Sequence, residues 1–397
     1  PAARGSRDRR RRRGPRRLRR RRAGVLVAMG LLAAAGVALV LGAVSLVRDS
    51  TAGRYVEPTA SPDEPGYQAY VEPTPTLAVV QPGGGELVGI TLLSLNAGDE
   101  GGAAVLVPPS TVVPFEGAET TLADAYARGG AEAAVGALEE MLVVDIAESV
   151  VVDDRRWASL VAPVAPVTVE PRGAVVGFPG GEVELAAGDV GRYLAALGDD
   201  ETELDRLERA AGFWSSWVAA VGAGGDHAVP GEVEVGIGRF VRGFAAGDLT
   251  TAPLPVTEQR DDGDVRWRPD RERTADLVSR TIPFPVSPAP GARVRVRLLN
   301  GTTDDTLTTA AARRLVRSGA EITIVGNGPS FSEATTRVIH RLPGQREAAE
   351  RLGLALGVGD VEQVDAPRGG LAVPDEELDV TVILGADARD RIEGQET

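Results

Sequence analysis

The chain has 397 residues and no cysteine, which excludes disulfides, thiol catalysis and cysteine-ligated metal sites. Its net charge is −14, yet thirteen of its 43 basic residues lie within residues 4–22. The remainder therefore carries about −26, which excludes binding of nucleic acid through its global charge.

The apolar run Gly24–Val47 contains no charged residue. As a helix it would be roughly 36 Å long, enough to cross a hydrocarbon core of roughly 30 Å. Residues 1–23 before it are rich in arginine, and the positive-inside rule places such a segment in the cytoplasm. The sequence predicts a single-pass cell-membrane protein with a basic cytoplasmic tail (1–23), a transmembrane helix (24–47) and an extracytoplasmic remainder.

Two alternatives compete for this N-terminal region. A cleaved signal peptide also begins with a basic segment and an apolar one, but its apolar part is typically shorter, and no A-x-A site with a clear break precedes Arg48. The arginines could instead bind nucleic acid, although beside an apolar span they more commonly set topology and contact anionic lipid. A retained anchor, with no nucleic-acid partner, is the preferred interpretation.

Residues 48–85 are rich in proline and repeat the pentapeptide Tyr55–Thr59 at Tyr70–Thr74. Such composition is typical of an extended segment that buries little apolar surface. We predict an extracytoplasmic linker over this range. The repeat is explained either by duplication or by docking of a partner.

Residues 86–285 alternate short apolar strands with helical segments. Strands are predicted at Leu87–Leu95 and Ala103–Val107, joined by a turn at Asn96, and a helix is predicted at Thr121–Met141. This alternation is typical of an α/β layered domain.

Several blocks of this domain occur in the order found in one known family. They are Ala125-Tyr-Ala-Arg-Gly-Gly130, Val143-Val-Asp145-Ile, Val150-Val-Val-Asp153, Val167-Thr-Val-Glu170 and Asp205-Arg206-Leu-Glu-Arg209. Together they resemble the LytR-CpsA-Psr (LCP) family of bacterial envelope proteins. The resemblance implies transfer of an anionic glycopolymer from a polyprenyl-pyrophosphate carrier to peptidoglycan, with Mg²⁺ and arginines around the pyrophosphate.

Most of the family's functional positions hold other residues in this chain. The resemblance places Pro109 at a family arginine, Ser110 at an aspartate, and Val88 or Gly89 at the metal-binding aspartate. Two further arginine or glutamine positions fall within Thr121–Ala123 and at Ala210. The catalytic motif is therefore degenerate, and we predict no catalytic residue and no metal ligand.

The remaining basic candidates for a phosphate site are Arg206, Arg209, Arg192 and Arg128. Arg206 and Arg209 are three residues apart and so share a helical face. The competing interpretation pairs them with Glu203, Asp205 and Glu208 at the surface. Three aromatic residues that follow could line a lipid groove, although such spacing is more often that of a core: Phe213, Trp214 and Trp217.

A second linker is predicted at residues 286–292, followed by a smaller α/β domain with a mixed sheet at 293–388 and a tail at 389–397. Its strand Val294–Leu299 ends at Asn300-Gly301, and its closing strand is Val380–Leu384. These segments resemble the C-terminal accessory domain that follows the catalytic domain in many LCP proteins.

We hypothesise a non-catalytic role in envelope assembly, without a cofactor. Expected partners are the cytoplasmic membrane and a polyprenyl-linked glycan, peptidoglycan or other envelope-assembly proteins. The first alternative is an active, Mg²⁺-dependent glycopolymer phosphotransferase that uses Arg206 and Arg209. The second is an interaction or regulatory module whose working part is the C-terminal domain.

Overall fold

The computed structural model describes residues 60–198, 201–261, 264–364 and 378–393. The predicted cytoplasmic tail, transmembrane helix and first linker residues lie outside these ranges, as do residues 394–397 of the predicted tail. Within these ranges, no helix has the length and apolar character needed to span a membrane.

The described strands are β1 (Gln68–Tyr70), β2 (Thr76–Gly83), β3 (Glu86–Leu95), β4 (Gly102–Val107), β5 (Val112–Phe115), β6 (Ala118–Thr121), β7 (Glu148–Val151), β8 (Val167–Val169), β9 (Val183–Leu185), β10 (Leu249–Pro253), β11 (Val256–Asp261), β12 (Asp264–Pro269), β13 (Val294–Asn300), β14 (Ala320–Asn327), β15 (Arg337–His340), β16 (Glu362–Gln363) and β17 (Val380–Leu384). The described helices are α1 (Leu122–Leu142), α2 (Asp154–Val161), α3 (Val190–Ala195), α4 (Glu203–Gly224), α5 (Gly236–Ala246), α6 (Arg271–Thr281), α7 (Asp305–Arg317), α8 (Arg346–Ala355) and α9 (Ala388–Glu393).

The larger domain is built on a five-stranded sheet in the order β10-β4-β3-β2-β7. Strands β2, β3 and β4 pair antiparallel, while β7 and β10 add in parallel at the two edges. One face of the sheet packs on α2, α4 and α5, and the other packs on α1 and α6. The predicted α/β layered architecture is confirmed for this domain.

Strand β2 explains why its sequence is a continuous apolar run. Leu77 and Val79 point into the core beneath α4, whereas Ala78 and Val80 point into the core beneath α1. All four are at most 1% exposed. A strand covered on both faces needs apolar residues at every position rather than at alternate ones.

The predicted linker 48–85 is wrong over its last part. Residues 68–70 form β1, and residues 76–83 form β2 in the middle of the larger sheet. The linker was predicted from its prolines, which the fold accommodates at positions outside regular pairing. Pro73 and Pro75 lie in the segment between β1 and β2, and Pro82 lies where the β2–β3 register shifts. The larger domain therefore begins at Thr76, not at residue 86.

The predicted helix Thr121–Met141 is present as α1, with one local irregularity at Gly130. Gly130 has φ 71° and ψ −157°, which are not helical values, but helical structure resumes and continues to Leu142. Thr121 begins the helix, and its side chain and that of Asp124 each accept a backbone N–H.

The smaller domain contains a six-stranded sheet in the order β1-β14-β13-β17-β15-β16, and the predicted mixed sheet is confirmed. Strands β13, β14 and β17 are parallel, and β15 runs antiparallel to β17. The edge strand β1 comes from residues that precede the larger domain in sequence, and it pairs antiparallel with β14. The chain therefore contributes to the smaller domain twice, before and after it forms the larger one.

The segment predicted as the second linker is bound to both domains. The backbone N–H of Asp145 donates to the Val286 carbonyl, and the N–H of Ser287 donates to the Glu321 carboxylate. The buried Arg293 guanidinium donates to the carbonyls of Val143, Val316 and Ala320, which belong to the two domains. Burial lowers the pKa of Arg293 to about 10.

Thr74, in the second copy of the repeated pentapeptide, makes two hydrogen bonds to Phe284. Its hydroxyl accepts from the Phe284 N–H, and its own N–H donates to the Phe284 carbonyl, both at 3.0 Å. Thr74→Val keeps the shape of the side chain but leaves the Phe284 N–H without its acceptor. We expect the free energy of unfolding to fall by ~1–3 kcal/mol in urea titration. The same substitution at the exposed Thr309 should change it by less than ~0.5 kcal/mol; equal effects would contradict a structural role for the pentapeptide.

Candidate functional site

The candidate site lies at the start of α4, where the chain turns from a loop into a long helix. Thr202 caps this helix: its hydroxyl accepts from the Asp205 N–H, and the Asp205 carboxylate accepts from the Thr202 N–H. This reciprocal cap fixes the first helical turn, which carries Glu203 and Arg206. Asp205 is therefore a capping residue rather than the predicted partner of an arginine.

Glu203 occupies the position beside the degenerate turn at Pro109-Ser110. One carboxylate oxygen accepts from the Ser110 hydroxyl at 2.7 Å, and the other accepts from the Trp267 indole Nε1 at 3.0 Å. The backbone N–H of Ser110 also donates to Glu203 at 3.4 Å. The Ser110 hydroxyl and the Trp267 indole are thus already bound to a carboxylate of the same chain.

Arg206 is half-buried next to Glu203, and its Nη2 donates to the carbonyl of Val88 at 2.7 Å. Burial is the main cause that lowers the pKa of Arg206, while the charge of Glu203 opposes it. The predicted pairing of Arg206 with Glu203 is thus an electrostatic interaction between neighbouring charges. Val88 is one of the two positions at which the resemblance places a metal-binding aspartate.

Arg209 is a structural residue rather than a free cation. It is 7% exposed, and its Nε and Nη2 both donate to Glu201 at 3.0 Å. Its guanidinium also donates to the carbonyl of Tyr193, which lies in α3, and to that of Ala196, directly after α3. This one side chain therefore joins α3 to α4. Because every donor group is occupied, Arg209 has little capacity left for a ligand.

Arg192 and Arg128 do not join Arg206 and Arg209. Arg192 is paired with Asp189 at 2.5 Å and lies over the Phe178 ring, 5.4 Å from its centroid. Arg128 lies over the Phe115 ring, 5.9 Å from its centroid. Arg206 and Arg209 thus lie near each other and near Glu201, whereas Arg192 and Arg128 contact other residues.

The three aromatic residues predicted as lipid-groove candidates are core residues. Phe213, Trp214 and Trp217 are at most 1% exposed, and all three make edge-on contacts with the Trp157 ring at centroid distances of 5.6–5.7 Å. Together with Phe240 they fill the layer between the sheet and α4. The groove interpretation is therefore wrong for these side chains, and the core alternative is confirmed.

A cavity of about 820 Å³ opens beside α4 and α3. Of the candidate phosphate-binding arginines and lipid-groove aromatic residues, Arg209 and Phe213 line it. Four carboxylates and two guanidiniums line it, from Glu170, Glu201, Asp205, Glu208, Arg172 and Arg209. Because its lining carries an excess of negative charge, this cavity is poorly suited to a pyrophosphate.

The residues present do not fit the magnesium ion that the family resemblance implies. Hard divalent cations need several oxygen ligands, usually including carboxylates. Here Glu203, the carboxylate bonded to the degenerate turn, accepts from Ser110 and Trp267, and Arg206 donates to the Val88 carbonyl. Within the described ranges, no group of three or more histidine, aspartate or glutamate side chains is placed to hold a metal.

Sequence analysis missed Trp267 and Glu201. Trp267 lies 64 residues after Glu203 in sequence, and no local pattern connects the two. Glu201 precedes the helix cap and so does not lie on the helical face that carries Arg209. A signal was present nevertheless, because an acidic residue just before a helix can fold back onto a side chain two turns inside it.

The Arg209–Glu201 pair predicts a large difference between two arginine substitutions. Arg209→Ala leaves Glu201 largely buried without its partner, and we expect a loss of ~3–5 kcal/mol in the free energy of unfolding. Arg192→Ala removes an exposed ion pair and should cost less than ~1 kcal/mol. Urea denaturation of both variants measures this, and a small effect for Arg209 would mean that it is available for a ligand.

The aromatic cluster predicts that Trp217→Ala is severely destabilising. Removing a fully buried indole should lower the free energy of unfolding by ~3–5 kcal/mol because a large cavity remains. Val176→Ala, at a side chain that is 68% exposed, serves as the control and should be nearly neutral. If Trp217 lined an open groove, its truncation would instead cost little.

Comparisons with known proteins give one family-model match and several similar structures. Residues 293–387 match the family model described as LytR cell envelope-related transcriptional attenuator. No curated protein sequence gives a significant match to the chain.

Solved structures resemble the larger part of the chain. Lin1025 of Listeria innocua has 16% identity and a TM-score of 0.40, covering 53% of this chain and 98% of its own. TagT of B. subtilis has 14% identity and a TM-score of 0.43, covering 57% and 96%. A structure of TagT bound to LIIa-WTA has 13% identity and a TM-score of 0.44, covering 58% and 96%.

The family model covers nearly all of the segment that the sequence predicts as an accessory domain. Its limits, 293 and 387, lie within one residue of the predicted limits, 293 and 388. Residues 293–387 therefore match the LytR C-terminal family, and the predicted resemblance to LytR-type cell-envelope proteins is confirmed.

Proposed function

We propose that this chain has a non-catalytic role in assembly of the bacterial cell envelope, as a scaffold or binder for the proteins or glycopolymers of the wall. The observation that carries the proposal is the closed site at the start of α4. There Ser110 and Trp267 donate to Glu203, Arg209 donates to Glu201, and Arg206 donates to the Val88 carbonyl.

The packing beneath α4 supports the same proposal. A transferase acting on a polyprenyl carrier needs an apolar channel that holds a long hydrocarbon next to the phosphate. Here the space between the sheet and α4 is filled by Trp157, Phe213, Trp214 and Trp217. Opening it would expose side chains that contribute several kcal/mol of burial.

The partners and the location follow from the family relationship and belong to the proposal. We propose that the chain is anchored by Gly24–Val47 with its folded part outside the cytoplasmic membrane. Its partners are then a wall glycopolymer, peptidoglycan or other envelope-assembly proteins, and no cofactor is required. TagT, one of the similar structures, is described as bound to LIIa-WTA.

A transfer assay tests the proposal. The full chain, reconstituted in phosphatidylcholine nanodiscs, is incubated with a polyprenyl-pyrophosphate-linked glycan, peptidoglycan and Mg²⁺, with TagT as the comparison protein. We expect no transfer by this chain. Transfer that is lost in Arg206→Gln but retained in Arg273→Gln, an exposed arginine on α6, would overturn the non-catalytic role.

Cells lacking the protein provide the second arm. If the protein is a scaffold, the wild type and Arg206→Gln should complement these cells equally well, provided that the variant accumulates normally. The readout is the amount of glycopolymer attached to isolated cell walls. Loss of attached polymer in cells that produce Arg206→Gln, but not in cells that produce the wild type, would favour the phosphotransferase alternative.

A further inference from the structure

A second cavity lies where the two domains meet. Its volume is about 680 Å³, and we call it the junction cleft. One wall comes from β5, α6 and the end of α1, and the other comes from Arg293 and the end of α7. It is separate from the closed site at the start of α4, with which it shares no lining residue.

The floor of the junction cleft is apolar. Val113, Leu142, Val278 and Val316 line it and are buried, and Met141 is half-buried. Solvent in such a space makes few hydrogen bonds, so displacing it with an apolar group is favourable.

The rim of the junction cleft is cationic in a chain that is otherwise acidic. Arg268, Arg271, Arg293 and Arg317 line it, against the two carboxylates of Glu119 and Glu140. Arg268 binds Glu119, Arg317 binds Glu272, and Arg293 is committed to backbone carbonyls. Arg271 is exposed and makes no ion pair or hydrogen bond with a described residue. Its charge helps to lower the pKa of Glu119, but the hydrogen bonds of that carboxylate go to Arg268, so the donors of Arg271 remain available to a ligand.

A buried hydroxyl in the same cleft has no partner. Thr274 lines the cleft and is only 6% exposed, yet its Oγ1 makes no hydrogen bond within the described part of the chain. A threonine in a helix commonly donates its hydroxyl to the carbonyl one turn earlier, and a buried hydroxyl without a partner is unfavourable. Thr274 lies one helical turn after Arg271, so the two side chains are neighbours on one helical face.

We propose that the junction cleft binds an amphiphilic anion, a molecule with an apolar body and one oxyanion. The apolar body lies against Val113, Val278 and Val316. The oxyanion accepts from Arg271 at the rim and from the Thr274 hydroxyl. A carboxylate and a phosphate monoester share this chemistry, and the probes below distinguish them.

The experiment uses octyl phosphate and octanoate as the two anionic probes. Octyl glucoside supplies the same chain without charge, and inorganic phosphate supplies the charge without the chain. Because the chain has no cysteine, Ala292→Cys in the cleft can carry a single environment-sensitive fluorophore. The same label at Ala147→Cys, an exposed residue that does not line the cleft, reports partition into the surrounding lipid.

All measurements use the full chain in phosphatidylcholine nanodiscs, and titration calorimetry of the unlabelled chain checks that the label does not block the cleft. At least one octyl anion should give a saturable shift at the Ala292→Cys position only, with an affinity about tenfold higher than that of octyl glucoside or inorganic phosphate. The stronger of the two anions identifies the oxyanion. Absence of saturable binding in both measurements would overturn the proposal, as would equal binding of octyl glucoside.

Substitutions locate the two polar contacts. Arg271→Gln should weaken binding of the octyl anion about tenfold, whereas Arg273→Gln on the same helix, outside the cleft, should leave it unchanged. Thr274→Val should weaken binding while raising or preserving the thermal midpoint, because it removes an unpartnered hydroxyl. Thr274→Ser should restore binding. Unchanged binding in both Arg271→Gln and Thr274→Val would contradict the assigned site.

Discussion

The architecture of the larger domain depends on one constraint, which is that both faces of its five-stranded sheet are covered. Leu77 and Val79 pack toward α4, while Ala78 and Val80 pack toward α1. Burial of this kind is the dominant favourable term in folding, and it leaves little free volume between the layers. The aromatic residues of α4 are part of that packing, and their side chains fill the layer that they share with the sheet.

The acidic residues at the start of the same helix limit what its arginines can bind. Glu201 and Glu203 are fixed by the backbone within a few residues of Arg206 and Arg209, so they are present at high effective concentration and pay little entropy on binding. An external oxyanion at Arg209 would have to displace Glu201 and leave this largely buried carboxylate unpaired. Arginines on one helical face are therefore insufficient evidence for an anion site unless the acids that fold back onto them are considered as well.

The sequence predicted those features that depend on local pattern and missed those that depend on distant contacts. The strands β3 and β4, the helix α1 and the mixed sheet of the smaller domain follow from periodicity and turn residues, and the structure has them near the predicted positions. β1 was missed because its hydrogen-bonding partner β14 lies about 250 residues later, and a three-residue strand has no periodicity of its own. The contact of Trp267 with Glu203 was missed for the same reason.

The junction between the domains has consequences for the cleft that it contains. The chain crosses between the domains before β2 and again after α6, and Arg293 bonds to carbonyls of both. A guanidinium this deeply buried is costly unless its donors are satisfied, so a shift of one domain against the other would leave unpaired groups in a low-dielectric environment. The two walls of the cleft are thus held in place by the fold itself. A ligand entering a preformed cleft loses less binding energy to ordering its walls, and the substitutions at Arg271 and Thr274 then report on contacts rather than on closure.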